Sequence, residues 1–132
     1  FHYHDKVSPK QLNKEIFNYH YGLIPDFFNK LINPLWTKTT TGHKMYNILE
    51  AGLPIIISKE LICMAEVVKK HKIGICIDYN NIKNLRNILS SVDYRKLQNN
   101  VKIAQKELSI NNLTPKLENF YKKVAERKIR SR

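Results

Sequence analysis

The segment Gly52-Leu53-Pro54-Ile55-Ile56-Ile57-Ser58 constrains this chain more than any other. A glycine can take the positive φ that ends a helix, and a proline two residues on prevents its resumption. Three consecutive β-branched residues then read as a short strand buried on both faces, as in a parallel sheet. Upstream, Gly42 to Ala51 has helical character. The order helix, glycine stop, buried strand is half of an α/β unit. The start of such a helix is a place where backbone N–H groups meet an anion.

The rest of the chain extends this pattern. Phe1–His4 reads as a first strand, and Ser8-Pro9-Lys10-Gln11 as a capping box with proline at the first helical position. Leu12, Ile16 and Tyr19 supply that helix's stripe. Tyr21 to Pro25 is a second strand. Residues 26–42 form a long connection, of a length that often marks a functional loop. Within it Phe27, Phe28, Leu31, Ile32 and Leu35 recur at helical spacing, with Asp26 as cap and Pro34 as stop. Residues 43–51 are a helix and 54–58 a strand. A helix from Glu60 to Lys70 places Leu61, Met64, Ala65 and Val68 on one side, and Gly74–Ile77 is a fourth strand. Three helices follow. Ile82, Leu85, Ile88 and Leu89 mark one. Tyr94, Leu97, Val101, Ala104 and Leu108 mark another. The last has Thr114 as cap, Pro115 at its first position, and Leu117, Phe120, Tyr121 and Val124 as stripe. The expected fold is therefore α/β: a Rossmann-like parallel sheet of about four strands flanked by helices, ending in a run of helices.

At 132 residues the chain fits one domain. It opens on Phe1, not methionine, without a signal-peptide pattern, so it is expected to be part of a longer protein. Cys63 and Cys76 form neither a disulfide framework nor a zinc site, and their apolar neighbours suit buried thiols in a reducing cytosol. The net charge of +12 points to a polyanionic neighbour: nucleic acid, an anionic membrane surface or a phosphorylated substrate. The last twenty residues hold seven Lys/Arg against two Glu, which concentrates part of that charge at the C-terminus. No helix combines a basic face with interleaved aromatics, so nucleic acid is not the expected partner.

In open parallel sheets ligands sit beyond the carboxyl ends of the strands. Here that rule selects residues 5–8, 25–43, 58–60 and 78–80. The long connection and the Gly42 helix start fall together in that region, which favours an anionic, nucleotide-like ligand.

The order of a strand ending in Gly22-Leu-Ile-Pro25, a loop, Gly42-x-Lys44 followed by Gly52-x-Pro54, a β-branched strand, and Glu66 ahead of Lys72-x-Gly74-Ile75 resembles a known family. It is similar to the nucleotide-sugar-binding C-terminal domain of two-Rossmann (GT-B) glycosyltransferases of the group 1 type, over nearly the whole chain to about residue 127. The resemblance implies a donor-binding domain lacking its first strands and its acceptor domain. The implied reaction is transfer of a sugar from a nucleotide diphosphate sugar to a polysaccharide, lipopolysaccharide or lipid-linked acceptor, with no metal and no other cofactor. A fragment of this kind is not expected to turn over by itself. The implied location is the cytosol, with the inner face of a membrane as the alternative. Two glutamates that the family spaces eight positions apart fall on Thr39 and Asn47, and its Phe-Gly pair falls on Thr41 and Gly42. The altered glutamates also leave room for a related domain that binds without catalysing.

The expected donor-binding residues are Thr41, Gly42, His43, Lys44 and Asn47; no catalytic group is identified. Glycine at 42 would let phosphate or sugar oxygens approach the backbone, with hydroxyl donors from Thr40 and Thr41 beside it. Lys44 opposes the macrodipole of its own helix, a conflict that a bound phosphate would cancel. Asn47 lies one turn on and could hold a ribose hydroxyl. Glu50 points elsewhere and reads as a surface residue. His2, His4 and His20 lack a convergent third ligand for zinc. Phe27, Phe28 and Trp36 are either core or an apolar patch for a lipid-linked acceptor or bilayer interface. Arg127-Lys-Ile-Arg130-Ser-Arg132 is either a solvated end or a contact for anionic lipid.

Overall fold

The computed structural model describes residues 7–25 and 34–130. In chain order the elements are α1 (Pro9–Ile16), β1 (Gly22–Ile24), α2 (Pro34–Thr39), α3 (His43–Glu50), β2 (Ile55–Ser58), α4 (Ile62–His71), β3 (Gly74–Ile77), a 3-10 turn (Tyr79–Asn84), α5 (Leu85–Ser90), α6 (Tyr94–Glu107) and α7 (Ile110–Arg130). The strands form one parallel sheet in the order β1-β2-β3. Ile55 is level with Gly22 and Gly74, and Ile57 with Ile24 and Cys76. The α/β expectation holds, with three strands among the described residues; the strand expected at Phe1–His4 lies outside them.

The isoleucine run behaves as its composition dictates. All four residues of β2 are buried, as the central strand of a three-stranded parallel sheet requires. Ile55 and Ile57 join Ile24, Met45, Leu49, Leu61, Met64, Ala65, Val68, Ile73, Val101 and Ala104 in one core cluster. Each fully buried aliphatic side chain of this kind contributes about 1.5–3 kcal/mol. Leu23, on the opposite sheet face, is 52% exposed. Helices α3 and α4 pack on the sheet, and α6 packs across both of them. The α4 stripe Leu61, Met64, Ala65 and Val68 is buried as its spacing predicts.

Two close approaches depend on glycine, one between the sheet and α3 and one between neighbouring strands. A Cβ on Gly22 would fall on the Ile48 side chain, and one on Gly74 would fall on the Ile55 backbone carbonyl. Gly52 ends α3 at φ +80. The Gly52 N–H donates to Leu49 O at 2.9 Å and the Leu53 N–H to Ile48 O at 3.2 Å, the two bonds of a Schellman stop. The α4 end repeats these bonds, with the Ile73 N–H donating to Val68 O and the Lys72 N–H to Lys69 O. There a lysine occupies the left-handed position, at φ 53.

Several boundaries differ from the sequence expectation. Pro34 begins α2 rather than ending a helix, because a proline at the first helical position gives up an N–H that has no intrahelical partner there. Residues 26–33, where the aromatic-rich helix was expected, lie outside the described residues. The stretch after β3 begins as a 3-10 turn, capped by the Asp78 carboxylate accepting from the Asn81 N–H, and turns α-helical only at Leu85. Helix α7 starts at Ile110, five residues before the expected start, and Pro115 lies inside it. Ser109 O accepts from the Asn112 and Leu113 N–H groups, and the Thr114 hydroxyl donates back to Ile110 O instead of capping. Leu117, Phe120, Tyr121 and Val124 form the expected stripe but are exposed. No helix among the described residues is long and apolar enough to cross a membrane.

Candidate functional site

The site follows from the direction of the chain. β1 runs toward its carboxyl end at Ile24, and α3 must return against the strands to feed β2 in parallel. Its first residue, His43, therefore lies at the carboxyl edge of the sheet and its last, Glu50, at the amino edge. α4 makes the same return after β2 and also begins at the carboxyl edge. Two helix starts, with their partly positive N–H ends, are thus neighbours.

Gly42 is the N-cap of α3, at φ −89 and ψ 139, and no side chain caps the helix. These dihedrals are extended and open to any residue. The Gly42 N–H donates to the Met64 Sδ at 3.1 Å, a contact from the first turn of α4. A Cβ at position 42 would lie 3.5 Å from that sulfur, at ordinary contact distance. The bare side of this glycine therefore turns toward Met64, and its own donor is already engaged. The donors remaining at the helix start belong to the next residues, His43 and Lys44; the Met45 N–H turns back to Gly42 O at 3.2 Å.

The other expected residues are distributed around this start. Thr41, His43 and Lys44 are exposed, and Asn47 is half-buried. Helical spacing puts Lys44 and Asn47 on adjoining positions of one face. His43 lines an open pocket of about 570 Å³ with Tyr46, Glu50, Gln105, Leu108, Ser109 and Asn111, between α3 and the α6–α7 junction. Lys44 and Asn47 do not line it. Thr39 ends α2 with its hydroxyl donating to Leu35 O at 2.8 Å. Glu50 is exposed at the far end of α3, consistent with a surface role.

The strand ends beside this start carry a second polar arrangement. Ser58 is fully buried and its Oγ accepts from the Glu60 N–H at 3.2 Å. The Lys59 ammonium pairs with the Asp78 carboxylate at 3.1 Å, joining the ends of β2 and β3. The Lys59 hydrogen bond, then those from Asn81, hold the Asp78 carboxyl below the usual carboxylate range. Cys63 and Cys76 are both free and half-buried, and burial pushes the Cys76 thiol up while its S–H points at Ala65 O, 3.7 Å away. His2 and His4 lie outside the described residues.

Sequence reasoning missed the Lys59–Asp78 pair and two further contacts. Met64 was placed in the α4 core stripe, without its bond to Gly42. Gln105 was unassigned, yet its Nε2 donates to both Leu49 O and Glu50 O, at 2.9 and 3.0 Å, and closes the far end of α3. The available signal for Gln105 was its place beside the apolar stripe of α6, where an amide needs a buried partner.

A parallel α/β unit with paired helix starts at its carboxyl edge is shared by many functions, and the family comparison narrows it to a glycosyltransferase-related domain. Residues 1–119 match the family described as glucosyltransferase 3-like, C-terminal domain, and the chain belongs to that family. No curated protein and no solved structure matches it.

Proposed function

We propose that the chain is the donor-binding part of a GT-B glycosyltransferase, holding the diphosphate of a nucleotide sugar at the start of α3. The sugar passes to a glycan or lipid-linked acceptor. The observation that carries this reading is the uncapped α3 start at the carboxyl edge of the sheet, with Lys44 in its first turn. A cation there opposes the macrodipole, whereas an anion docked on the His43 and Lys44 N–H groups is attracted by both. Leaving-group stabilisation of this kind is electrostatic: charge developing on the departing diphosphate meets fixed donors and an ammonium. Asn47, a turn along the same face, holds a ribose hydroxyl. This chemistry needs no resident metal or other cofactor. The net charge of +12 suits the anionic donor, and an anionic membrane surface carrying a lipid-linked acceptor on the cytosolic side is a compatible second partner.

One observation favours binding without catalysis as the second reading. Thr39 and Asn47 stand where the resembled family places carboxylates, and the Thr39 hydroxyl is engaged within its own helix.

Titration with uridine, adenosine and guanosine diphosphates, followed by amide shifts, tests both readings. Shifts confined to residues 42–47 and neighbours are expected. Oligonucleotide binding with a steep salt dependence, and no response to any nucleoside diphosphate, overturns them. Sugar transfer by the complete protein then separates catalysis from binding alone.

A further inference from the structure

We infer that Met64 is a positioning residue for the diphosphate-binding turn, its thioether holding the Gly42 N–H so that the His43 and Lys44 donors stay fixed at the sheet edge. The inference rests on the donor-binding reading above and adds the group that sets its geometry.

An α-helix begins with N–H groups that lack intrahelical partners. In α3 the first of these, on Gly42, is bound by a sulfur 22 residues away, at 3.1 Å. That sulfur is itself held: Met64 is 3% exposed and belongs to the core cluster with Leu61, Ala65 and Val68. Met64 is the third residue of α4, which begins four residues beyond the end of β2. The contact thus ties the start of α3 to the segment that follows the central strand. No side chain caps α3, so the N–H groups that a Ser, Thr, Asp or Asn oxygen would take are left open, while the thioether takes the N-cap residue's own N–H. The arrangement has a chemical consequence. An anionic or strongly polar cap would compete with a phosphate for the same N–H groups, whereas a thioether is a weak, uncharged acceptor that takes one donor and leaves the next two. Glycine at 42 fits this arrangement without being demanded by it, since its dihedrals are ordinary and a Cβ there would only touch the sulfur.

The test exchanges one atom. In a Met45→Leu background, biosynthetic replacement of methionine by norleucine changes residue 64 from sulfur to methylene with nearly the same shape. Met45→Leu is a volume-conserving core swap of the tolerated kind. Inorganic pyrophosphate and uridine diphosphate are the probes, with affinity, melting temperature and the Gly42 amide shift and exchange rate as readouts. Norleucine is expected to weaken both ligands about three- to tenfold, shift the Gly42 amide upfield and speed its exchange, at a nearly unchanged melting temperature. Equal affinity of the norleucine and methionine proteins overturns the role of Met64 and leaves the donor site standing. A methionine protein that binds neither probe overturns both.

Discussion

The Lys59 ammonium lies 3.1 Å from the Asp78 carboxylate and bridges the ends of β2 and β3, one residue beyond each strand. Asp78 also caps the following 3-10 turn through the Asn81 N–H at 2.9 Å. The sheet edge nearest the proposed site is therefore closed by a charge pair that doubles as a turn cap. Because Lys59 holds the Asp78 carboxyl below its usual value, the pair stabilises the fold above the unfolded pKa of about 3.9. That contribution is lost as pH falls through the lowered folded value. Asp78→Asn, which can still cap the turn, should flatten the dependence of melting temperature on pH below about 5. An unchanged acid limb would show that the pair carries no stability.

Lys44→Ala should act with opposite signs on stability and binding. Removing a cation from the first turn of α3 relieves its conflict with the macrodipole, worth about 0.3 kcal/mol to the free protein. The same change should weaken nucleoside diphosphate binding about tenfold, or about 1.4 kcal/mol. Thermal melts with and without uridine diphosphate measure both quantities.

Gln105→Ala removes the shared donor of the Leu49 and Glu50 carbonyls at the end of α3. The cost should be about 1–2 kcal/mol, as expected for partly buried acceptors left without a partner. Urea unfolding with an unchanged m-value would assign the loss to the folded state.

Lys72→Gly should stabilise the chain. Lys72 holds φ 53 at the end of α4, a conformation costing roughly 1 kcal/mol for a residue with a Cβ. Glycine's greater freedom when unfolded offsets part of this, leaving about 0.5 kcal/mol as a higher urea midpoint. The carbonyl of residue 72 keeps its bond from the Asn100 side chain, at 2.9 Å, in either protein.

Gly74→Ala should be severe. Its Cβ would enter the Ile55 carbonyl in the adjacent strand, and backbone held in a ladder cannot rotate away. A loss of about 3 kcal/mol or more is expected in chemical denaturation, at the upper end for single substitutions.

Local pattern carried much of the architecture because it reports physics that acts within a few residues. The Ile55–Ile57 run and the Gly52 stop are buried strand and Schellman end, and the stripes of α4 and α6 face the core as their spacing requires. Boundaries failed where two local rules competed. Pro34 reads equally as a stop or a start. Thr114-Pro115 reads as a helix beginning, yet Ser109 provides an earlier one. The candidate site divides along the same line. Lys44, Asn47 and the Gly42 cap were legible from one segment, whereas the hydrogen bond to the Met64 sulfur, the two hydrogen bonds of Gln105 and the Lys59–Asp78 pair span 22, 55 to 56 and 19 residues.

The amino-acid sequence alone determined that strands alternate with helices, that β2 is buried on both faces, and that a helix begins beside Gly42, because backbone sterics and hydrophobic period settle such matters locally. Tertiary structure decided which of that helix's donors remain exposed. Parallel pairing returns the starts of α3 and α4 to one edge of the sheet, and only when they pack there does a buried thioether come within 3.1 Å of the Gly42 nitrogen.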